Sequence, residues 1–293
     1  MSISPFFYYL IPMGIARIGV PFFLITTGYF FYERLSAKRE YKTVILKYFR
    51  LWIIFTVIEL LIAGKYFYPK FGSPFLFIRQ TIMVGLGDAY WYLWTVPVTL
   101  LILIPLWGKK RFTFSLITGL VLFLLSMVND SYSFVFDGTL IQKIVKLHQK
   151  VFIWTGAGFV TTILFLSVGA WINEHRNSLD VFFENHRLSV IICAVTSVIL
   201  VLIESEITCS LGCNDSMNKI SLLSATPLLF IIVLKYESDN QFFNYLGSLS
   251  LNIYTVHPLV NDITKMLGWN SVVSFIFTAV VSIVVSSLIR FFR

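Results

Sequence analysis

The chain has 293 residues, of which 57% are hydrophobic and only 13% are charged, and its formal net charge is +8. An average soluble domain is about 25% charged, so this composition excludes a soluble globular protein. Several apolar runs reach the roughly 20 residues needed to cross a bilayer. The composition therefore predicts an all-α, polytopic membrane protein. Basic residues in cytoplasmic loops explain the net positive charge better than nucleic-acid binding does.

Nine spans are predicted from apolar length and from the charged, Gly, Pro, Asn and Asp residues that bound each run. In chain order they are 9–32, 44–63, 90–107, 112–128, 151–172, 188–205, 219–235, 241–261 and 271–290. Segment 74–84 is too short to span and carries Arg79, which predicts a helix in the membrane interface. No repeat and no soluble region interrupts this pattern, so residues 1–293 are predicted to form one transmembrane domain.

Lys and Arg residues are divided unevenly between the two sides of the predicted bundle. The loops after odd-numbered spans and the C-terminal tail hold 14 of them, and the opposite side holds 8. The positive-inside rule then places the C-terminus and loop 33–43 in the cytoplasm, and the N-terminus and loop 129–150 outside. The N-terminus has neither the basic region nor the cleavage site of a signal peptide. The pattern therefore predicts that a first helix is missing.

Arg17, Glu59 and His257 are ionisable residues inside predicted spans, where such groups usually have partners. At about 1.5 Å per residue, Arg17 lies roughly 12 Å from the outer end of its span, and Glu59 and His257 lie roughly 6 Å from theirs. One interpretation is a polar pocket, also lined by Tyr92, in which Arg17 stabilises an oxyanion or an acidic acceptor and His257 moves a proton. The other is an Arg17–Glu59 ion pair, with His257 bonded to a carbonyl that Pro258 leaves without a donor.

An aromatic run and a basic cluster each have two interpretations as well. Tyr90, Trp91, Tyr92 and Trp94 fit an interfacial belt, or a wall on which a sugar ring stacks. The basic cluster fits the positive-inside rule, or a site for the phosphates of coenzyme A. Its members are Lys47, Arg50, Lys109, Lys110 and Arg111.

The remaining histidines and the cysteines favour no metal site and no disulfide framework. His148, His175 and His186 fall in predicted loops without metal-ligand spacing, so they are predicted to be exposed. Cys209 and Cys213 either pair across a short loop, if that loop is extracytoplasmic, or stay thiols.

Four stretches form an ordered set along essentially the whole chain. They are ARIGVPFFLITTGYFF (16–31), KYFR (47–50), WYLWTVPV (91–98) and LGSLSLNIYTVHPLV (246–260). Their order and spacing resemble the acyltransferase 3 family of integral membrane O-acyltransferases. The first resembles the family's Arg, Val-Pro-Phe-Phe and Gly-aromatic-Phe pattern, and the last its Leu-Gly, Ser-Leu, Ile-Tyr and His-Pro pattern. The chain is also similar to the membrane part of the vancomycin-resistance serine racemases.

The resemblance implies a bundle of ten helices with both ends inside, and this chain looks like that bundle without its first helix. That helix usually carries an essential histidine. The resemblance therefore implies little or no activity for the chain as given, with His257 as a supporting neighbour of the absent base. Three departures add to this expectation. Tyr92 stands where relatives often have His, Trp154-Thr155-Gly156 stands where many have Arg-Asn-Gly, and Lys47 replaces an arginine.

The activity that the resemblance implies is transfer of an acyl group, most often acetyl, from cytoplasmic acyl-CoA to a hydroxyl of an extracytoplasmic glycan or cell-wall precursor. No bound cofactor, metal or nucleic acid is expected, and the location is the plasma membrane. The site residues are His257 and Arg17 for catalysis, Glu59, Tyr92 and Trp94 for the acceptor, and Lys47 and Arg50 for CoA. Two alternatives stay open: a transporter-like module for an amino acid such as serine, and an inactive fragment.

Overall fold

A computed structural model describes residues 11–83, 90–152, 158–213, 217–236 and 241–291. In these ranges the chain is helical and contains no strand, which confirms the predicted all-α class. A π-helical turn over Ile11–Ile15 precedes twelve described α-helices. They are α1 (Ala16–Ser36), α2 (Tyr41–Phe71), α3 (Pro74–Met83), α4 (Trp91–Trp107), α5 (Phe112–Met127), α6 (Ser133–Phe136), α7 (Leu140–Phe152), α8 (Phe159–Glu174), α9 (Arg176–Ser210), α10 (Leu222–Lys235), α11 (Gln241–Met266) and α12 (Ser271–Phe291).

The chain divides into two compact units. The first unit takes in residues 1–46 and 95–236, and the second takes in residues 47–94 and 237–293. In the first unit the most extensive helix contact is between α1 and α8, and α8 also packs on α5. In the second unit α11 packs along α12. The single transmembrane domain predicted for residues 1–293 stays a prediction.

Apolar helices occur where the sequence predicts spans. Among the described residues, three helices are long and apolar enough to cross a membrane: Met13–Ser36, Arg176–Ser210 and Val272–Phe291. Four shorter apolar helices, α4, α5, α8 and α10, have 14 to 17 residues. Helix α3 lies at the short segment predicted for the membrane interface. The number of nine spans stays a prediction.

Helix α9 contains a break that its sequence explains. Its 35 residues would extend about 52 Å as one straight helix, well beyond a hydrocarbon core of about 30 Å. His186 interrupts it with non-helical backbone angles of φ −128° and ψ 27°. The charged residues of α9 cluster before and at the break, and residues 188–203 after it carry no charge. The span predicted to begin at 188 therefore begins just after the break.

Glycines allow α1 and α5 to approach α8 closely. A Cβ atom added to Gly28 would lie 2.1 Å from the Leu166 carbonyl oxygen, and one added to Gly169 would lie 2.0 Å from the Ile25 carbonyl oxygen. A Cβ at Gly119 would lie 2.7 Å from the backbone of α8. Helices in membranes associate through such small-residue contacts, because lipid supplies little hydrophobic drive. The three glycines therefore fix the packing of the first unit.

Two predictions about segment 129–150 and its histidine are wrong. The segment is not a loop throughout, because it contains α6 and most of α7. His148 lies on α7 and is half-buried. The face of α7 that carries the buried Val145 packs against the rest of the first unit. His175, predicted to be exposed, is half-buried because its ring stacks on Trp171 at 4.6 Å. His186 is exposed, as predicted.

Candidate functional site

Arg17 lies in the first turn of α1, within the first unit, and is half-buried. Its Nη2 atom lies 3.3 Å from the Met13 sulfur. The Met13 carbonyl accepts a hydrogen bond of 2.8 Å from the Ser205 hydroxyl on α9. The guanidinium also acts electrostatically on Asp130 and Lys219. The start of α1, the end of α5 and the connection between α9 and α10 therefore meet at one end of the first unit, which we call the Arg17 end.

Lys219 is the most deeply buried cation of the Arg17 end, with 0% of its surface exposed. Helix α10 begins only at Leu222, so Lys219 lies in the connection before it and not in the span predicted to start at 219. Burial, reinforced by the positive charge of Arg17, lowers the pKa of Lys219 to about 8, and the nearby carboxylates of Asp130 and Glu204 oppose this shift. The ammonium group therefore loses its proton more readily than that of an ordinary lysine.

Asp130 ties the connection before α10 to the end of α5. Its carboxylate accepts hydrogen bonds from the backbone N–H groups of Met217, at 2.9 Å, and Asn218, at 2.8 Å. The Asn218 side chain donates in turn to the hydroxyls of Ser126 on α5, at 2.7 Å, and Thr161 on α8, at 3.1 Å. Burial raises the pKa of Asp130, while these N–H donors and the nearby cations act in the opposite direction. Asp130 thus fixes the segment that carries Lys219.

Glu204, on α9, caps the start of α10. Its carboxylate accepts hydrogen bonds from the backbone N–H groups of Ile220, at 2.7 Å, and Ser221, at 2.8 Å, and also from the Ser221 hydroxyl. The Tyr132 hydroxyl donates to the same carboxylate at 2.5 Å. N–H groups at a helix start have no partner within the helix, and a negative charge there is stabilising. One side chain therefore holds α9, α10 and the segment after α5 together.

We expect Glu204→Gln to lower the free energy of unfolding by about 2 kcal/mol, because hydrogen bonds to a charged acceptor contribute about 1.5 to 3 kcal/mol. The matched control is Glu206→Gln on the same helix, where the side chain is exposed. That control should change the free energy by less than about 0.5 kcal/mol. Denaturation of both variants with SDS, followed by circular dichroism, measures the difference. Equal effects at the two positions would contradict the capping role.

In the second unit, one face of α2 is built from aromatic residues and ends in a carboxylate. Tyr48, Trp52, Phe55 and Glu59 follow each other at spacings of four, three and four residues, which places them on one side of a helix. Glu59 is only 1% exposed. Its charge and that of Asp262 act on the Tyr90 phenol. The predicted acceptor residue Glu59 therefore lies at the end of an aromatic stripe and not at an open surface.

Aromatic rings connect this face to the predicted aromatic run. The ring-centroid distances are 6.0 Å for Tyr48–Tyr92, 4.8 Å for Trp52–Trp94 and 5.9 Å for Phe55–Tyr90. The indole N–H groups of Trp52 and Trp94 are buried and donate to no atom among the described residues. Buried donors without an acceptor are uncommon in proteins. The two indoles therefore present polar groups that an oxygen-rich ligand would satisfy.

His257 joins the same cluster through Tyr254. The Tyr254 ring lies 5.2 Å from the ring of Tyr92 and 5.6 Å from that of His257. His257 Nδ1 lies 3.2 Å from the Ile253 carbonyl oxygen. A carbonyl only accepts, so Nδ1 carries the proton, and the Nε2 of the neutral ring keeps its lone pair. The carbonyl that Pro258 leaves without a donor is that of Tyr254, whereas Nδ1 lies 3.2 Å from the preceding one, that of Ile253. A ring held in this way can still act as a base through Nε2.

Six of the seven predicted site residues belong to the second unit, and Arg17 belongs to the first. The six are Lys47, Arg50, Glu59, Tyr92, Trp94 and His257. The predicted Arg17–Glu59 ion pair stays a prediction, as do the roles assigned to all these residues. Lys47 and Arg50 are exposed on α2. Trp154-Thr155-Gly156 lies outside the described residues.

Sequence reasoning missed Asp130, Glu204, Tyr254 and the burial of Lys219. Glu204 had the clearest signal, since it interrupts an apolar run.

In the described ranges, no group of three His, Cys, Asp or Glu side chains could hold a metal ion. Cys213 donates its thiol to the Asp130 carbonyl, with 3.1 Å between sulfur and oxygen.

Comparison with known proteins assigns the chain to a family. The sequence profile described as an acyltransferase domain, that of the acyltransferase 3 family, matches residues 1–291. The chain is 25% identical to an amino-acid racemase of Enterococcus faecalis, over 98% of this chain and 42% of that protein. It is 26% identical to a serine/alanine racemase of Enterococcus gallinarum, over 85% of this chain and 36% of that protein.

The chain thus spans less than half of the length of these two curated relatives. No solved structure matches it significantly. The match to the family profile nevertheless covers almost every residue, and the apolar helices agree with it. The chain belongs to the acyltransferase 3 family of membrane proteins.

Proposed function

We propose that this protein transfers an acyl group, and specifically an acetyl group, from acyl-CoA on the cytoplasmic side to a hydroxyl of an extracytoplasmic glycan or cell-wall precursor. Family membership supports a membrane acyltransferase in general. The observation that carries the assignment of residues is the orientation of His257, whose Nδ1–H is held by the Ile253 carbonyl. The proposal includes a multi-pass position in the plasma membrane with the C-terminus in the cytoplasm, which the distribution of Lys and Arg supports.

His257 is the proton-handling residue of this proposal. Its Nε2 takes the proton of the acceptor hydroxyl while that oxygen attacks the thioester carbonyl. The tetrahedral intermediate then collapses with cleavage of the carbon–sulfur bond. The same nitrogen returns the proton to the CoA thiolate that leaves, so the ring ends in its starting state. A general base of this kind typically contributes about 10² to 10⁴ in rate.

The aromatic cluster of the second unit binds the acceptor. In this proposal Tyr92, which is 5% exposed, and Trp94 contact the sugar. The buried indole N–H groups of Trp52 and Trp94 donate to its oxygens. The buried carboxylate of Glu59 accepts hydrogen bonds from sugar hydroxyls. An analogue without these hydroxyl groups would leave the polar atoms of the site unpaired. The site should therefore reject such an analogue.

The cations are assigned to the charged parts of the reaction. Arg17 belongs to the first unit, and its role stays the one predicted from the sequence, to stabilise an oxyanion or an acidic group on the acceptor. Lys47 and Arg50 are exposed, as a site for the phosphates of soluble CoA requires.

We expect His257→Ala to lower acetyl transfer by about 10² to 10⁴. The assay uses the full chain in nanodiscs with labelled acetyl-CoA and a lipid-linked cell-wall precursor. The matched control is His186→Ala, because His186 is exposed at the break in α9 and takes no part in the proposal. The control should keep the activity of the parent chain.

The same assay separates this proposal from the expectation of an inactive chain. Transfer above background by residues 1–293 that is lost in His257→Ala supports His257 as the base. Equal transfer by the two histidine variants would show that His257 handles no proton. Absence of transfer by the parent chain would support the sequence expectation that another histidine does this work.

A second candidate function is an amino-acid-binding module without catalysis. The names of the two curated relatives, an amino-acid racemase and a serine/alanine racemase, favour it. The buried cations and carboxylates of the Arg17 end also suit the two charges of an amino acid. A module of this kind needs no CoA site. Binding of labelled serine that is unaffected by Lys47→Gln together with Arg50→Gln, without acetyl transfer, would favour it over the acyltransferase.

A further inference from the structure

Helix α7 is an amphipathic helix at the Arg17 end of the first unit. It lies between the end of α5 at Met127 and the start of α8 at Phe159, so it occupies the end of the bundle where these two helices meet. Its 13 residues extend about 20 Å and include three lysines, which makes it too short and too charged to span. Its sequence from Gly138 to Phe152 contains no Asp or Glu.

Three rows of side chains run along α7. One row packs into the unit, with Gln142 5% and Val145 6% exposed. A second row is apolar and exposed, with Leu140 at 72%, Ile144 at 59% and Leu147 at 64%. A helix with an apolar face turned away from its own protein, and with a basic face beside it, is typical of a helix that lies in the membrane interface.

The third row is basic and consists of Lys143, Lys146 and Lys150, at spacings of three and four residues. All three are exposed. Lys146 donates one hydrogen bond to the Gln142 side chain at 3.0 Å, and an ammonium group has three N–H donors. Helix α7 itself contains no acidic residue, and three exposed positive charges in one row suit an anionic partner. Long lysine side chains next to an apolar row reach toward the headgroup layer.

An apolar groove runs beside α7 and adds a second feature. It has a volume of about 280 Å³ and is lined mainly by Leu122 and Leu125 of α5, Ile141 and Ile144 of α7, and Val160 of α8. Its lining is almost entirely apolar, which suits a hydrocarbon chain and no sugar or nucleotide. Ile144 belongs both to the groove and to the exposed apolar row. A hydrocarbon chain that lies along the exposed apolar row can therefore continue into the groove.

We propose that α7 binds an anionic glycerophospholipid of the bilayer: the lysine row holds its phosphate, and the apolar row and the groove hold its acyl chains. Charge complementarity selects this occupant over a zwitterionic lipid. Each lysine near an anionic membrane surface favours binding by about fivefold. This interaction is separate from acyl transfer, because none of its residues belongs to the proposed catalytic or acceptor sites.

The test places a photoreactive benzophenone side chain at the position of Leu147 in the full chain. The protein is reconstituted in nanodiscs that contain equal amounts of phosphatidylglycerol and phosphatidylcholine, and mass spectrometry identifies the crosslinked lipids. The matched control places the same group at Ile199 of α9, which is 49% exposed and distant in sequence from basic residues. We expect phosphatidylglycerol to exceed phosphatidylcholine by about fivefold or more at 147, and about equal amounts at 199.

Substituting the three lysines tests whether their charge causes the preference for phosphatidylglycerol at position 147. Combined Lys143→Gln, Lys146→Gln and Lys150→Gln should bring the lipid ratio at 147 close to one, while the corresponding Lys→Arg changes should keep it. A ratio at 147 equal to that at 199, or one that the Gln changes leave intact, overturns the proposal. Crosslinks at 147 to protein or to a lipid-linked sugar overturn it as well. If the triple Gln variant elutes as an aggregate, Lys143→Gln alone should still lower the ratio severalfold.

Discussion

Gly169→Ala is expected to destabilise the first unit strongly. The added Cβ would lie 2.0 Å from the Ile25 carbonyl oxygen, and because this atom is backbone, α1 and α8 have to move apart. Overpacking typically costs about 1 to 3 kcal/mol, and a clash with backbone this short falls at the upper end of that range. The most extensive helix contact of the unit would be lost together with the packing around it. Thermal unfolding in detergent, followed by circular dichroism, measures the change.

The matched control for this prediction is Gly19→Ala. Gly19 lies on α1 as well, and a Cβ there would meet no atom within 4 Å. Alanine favours a helix over glycine by up to about 1 kcal/mol, so this variant should unfold at the same temperature as the parent or slightly higher. Gly28→Ala should behave like Gly169→Ala, because Gly28 lies on α1 at the same contact between α1 and α8. Equal stability of all three variants would mean that α1 and α8 do not cross at these glycines.

Asp130→Ala is expected to lower the free energy of unfolding by about 3 to 5 kcal/mol. Removing one partner of a buried charged group leaves the other uncompensated, so Lys219, at 0% exposure, would either keep a buried charge without Asp130 or have to lose its proton, and both cost free energy. The backbone N–H groups of Met217 and Asn218 would also lose their acceptor. The control is Asp137→Ala, because Asp137 is exposed in the same connection after α5. It should change the free energy by less than about 0.5 kcal/mol.

A double-mutant cycle distinguishes loss of charge pairing from loss of packing. Adding Lys219→Met to Asp130→Ala removes the uncompensated charge, so the double variant should be more stable than the sum of the single effects predicts by about 1 to 3 kcal/mol. Strict additivity would show that Asp130 and Lys219 act independently. The measurement is the SDS concentration at the midpoint of unfolding for the four proteins of the cycle.

The lowered pKa of Lys219 gives the same cluster a characteristic pH dependence. The pKa is about 8 in the folded protein and 10.5 for an ordinary lysine. Between these values the unfolded chain binds more protons than the folded one, so the free energy of unfolding should rise from pH 8 to about 10.5. This rise should disappear in Lys219→Met. A parent chain and a variant with the same pH profile would mean that Lys219 keeps an ordinary pKa.

The sequence predicts the helices of this protein better than it predicts their connections. The predicted spans 90–107 and 112–128 differ from α4 and α5 by a single residue at one end. Long apolar runs bounded by charges leave little choice in a membrane, because each helix must satisfy its own backbone hydrogen bonds. Helix α7 was missed because a short helix with three lysines has the composition of a loop, and only its apolar spacing reveals it.

The candidate sites were predictable only where a polar residue interrupts an apolar run. Arg17, Glu59 and His257 were found in this way. Lys219 and Asp130 were not, because a charged residue in a connection is normally solvated. The hydrogen bonds that bury them join residues 87 and 88 positions apart in the chain. No local pattern reports such a contact, so the Arg17 end becomes visible only when the helices are assembled.

The shortness of three helices in the first unit has a consequence for the surrounding membrane. At about 1.5 Å per residue, α5 and α8, with 16 residues each, and α10, with 14, extend about 21 to 24 Å. A typical hydrocarbon core is about 30 Å thick. In the proposed multi-pass arrangement, a hydrophobic mismatch of this size would thin the bilayer locally around these helices. Under the proposed function, an acyl group that passes beside them would cross a barrier several ångströms narrower than the membrane elsewhere.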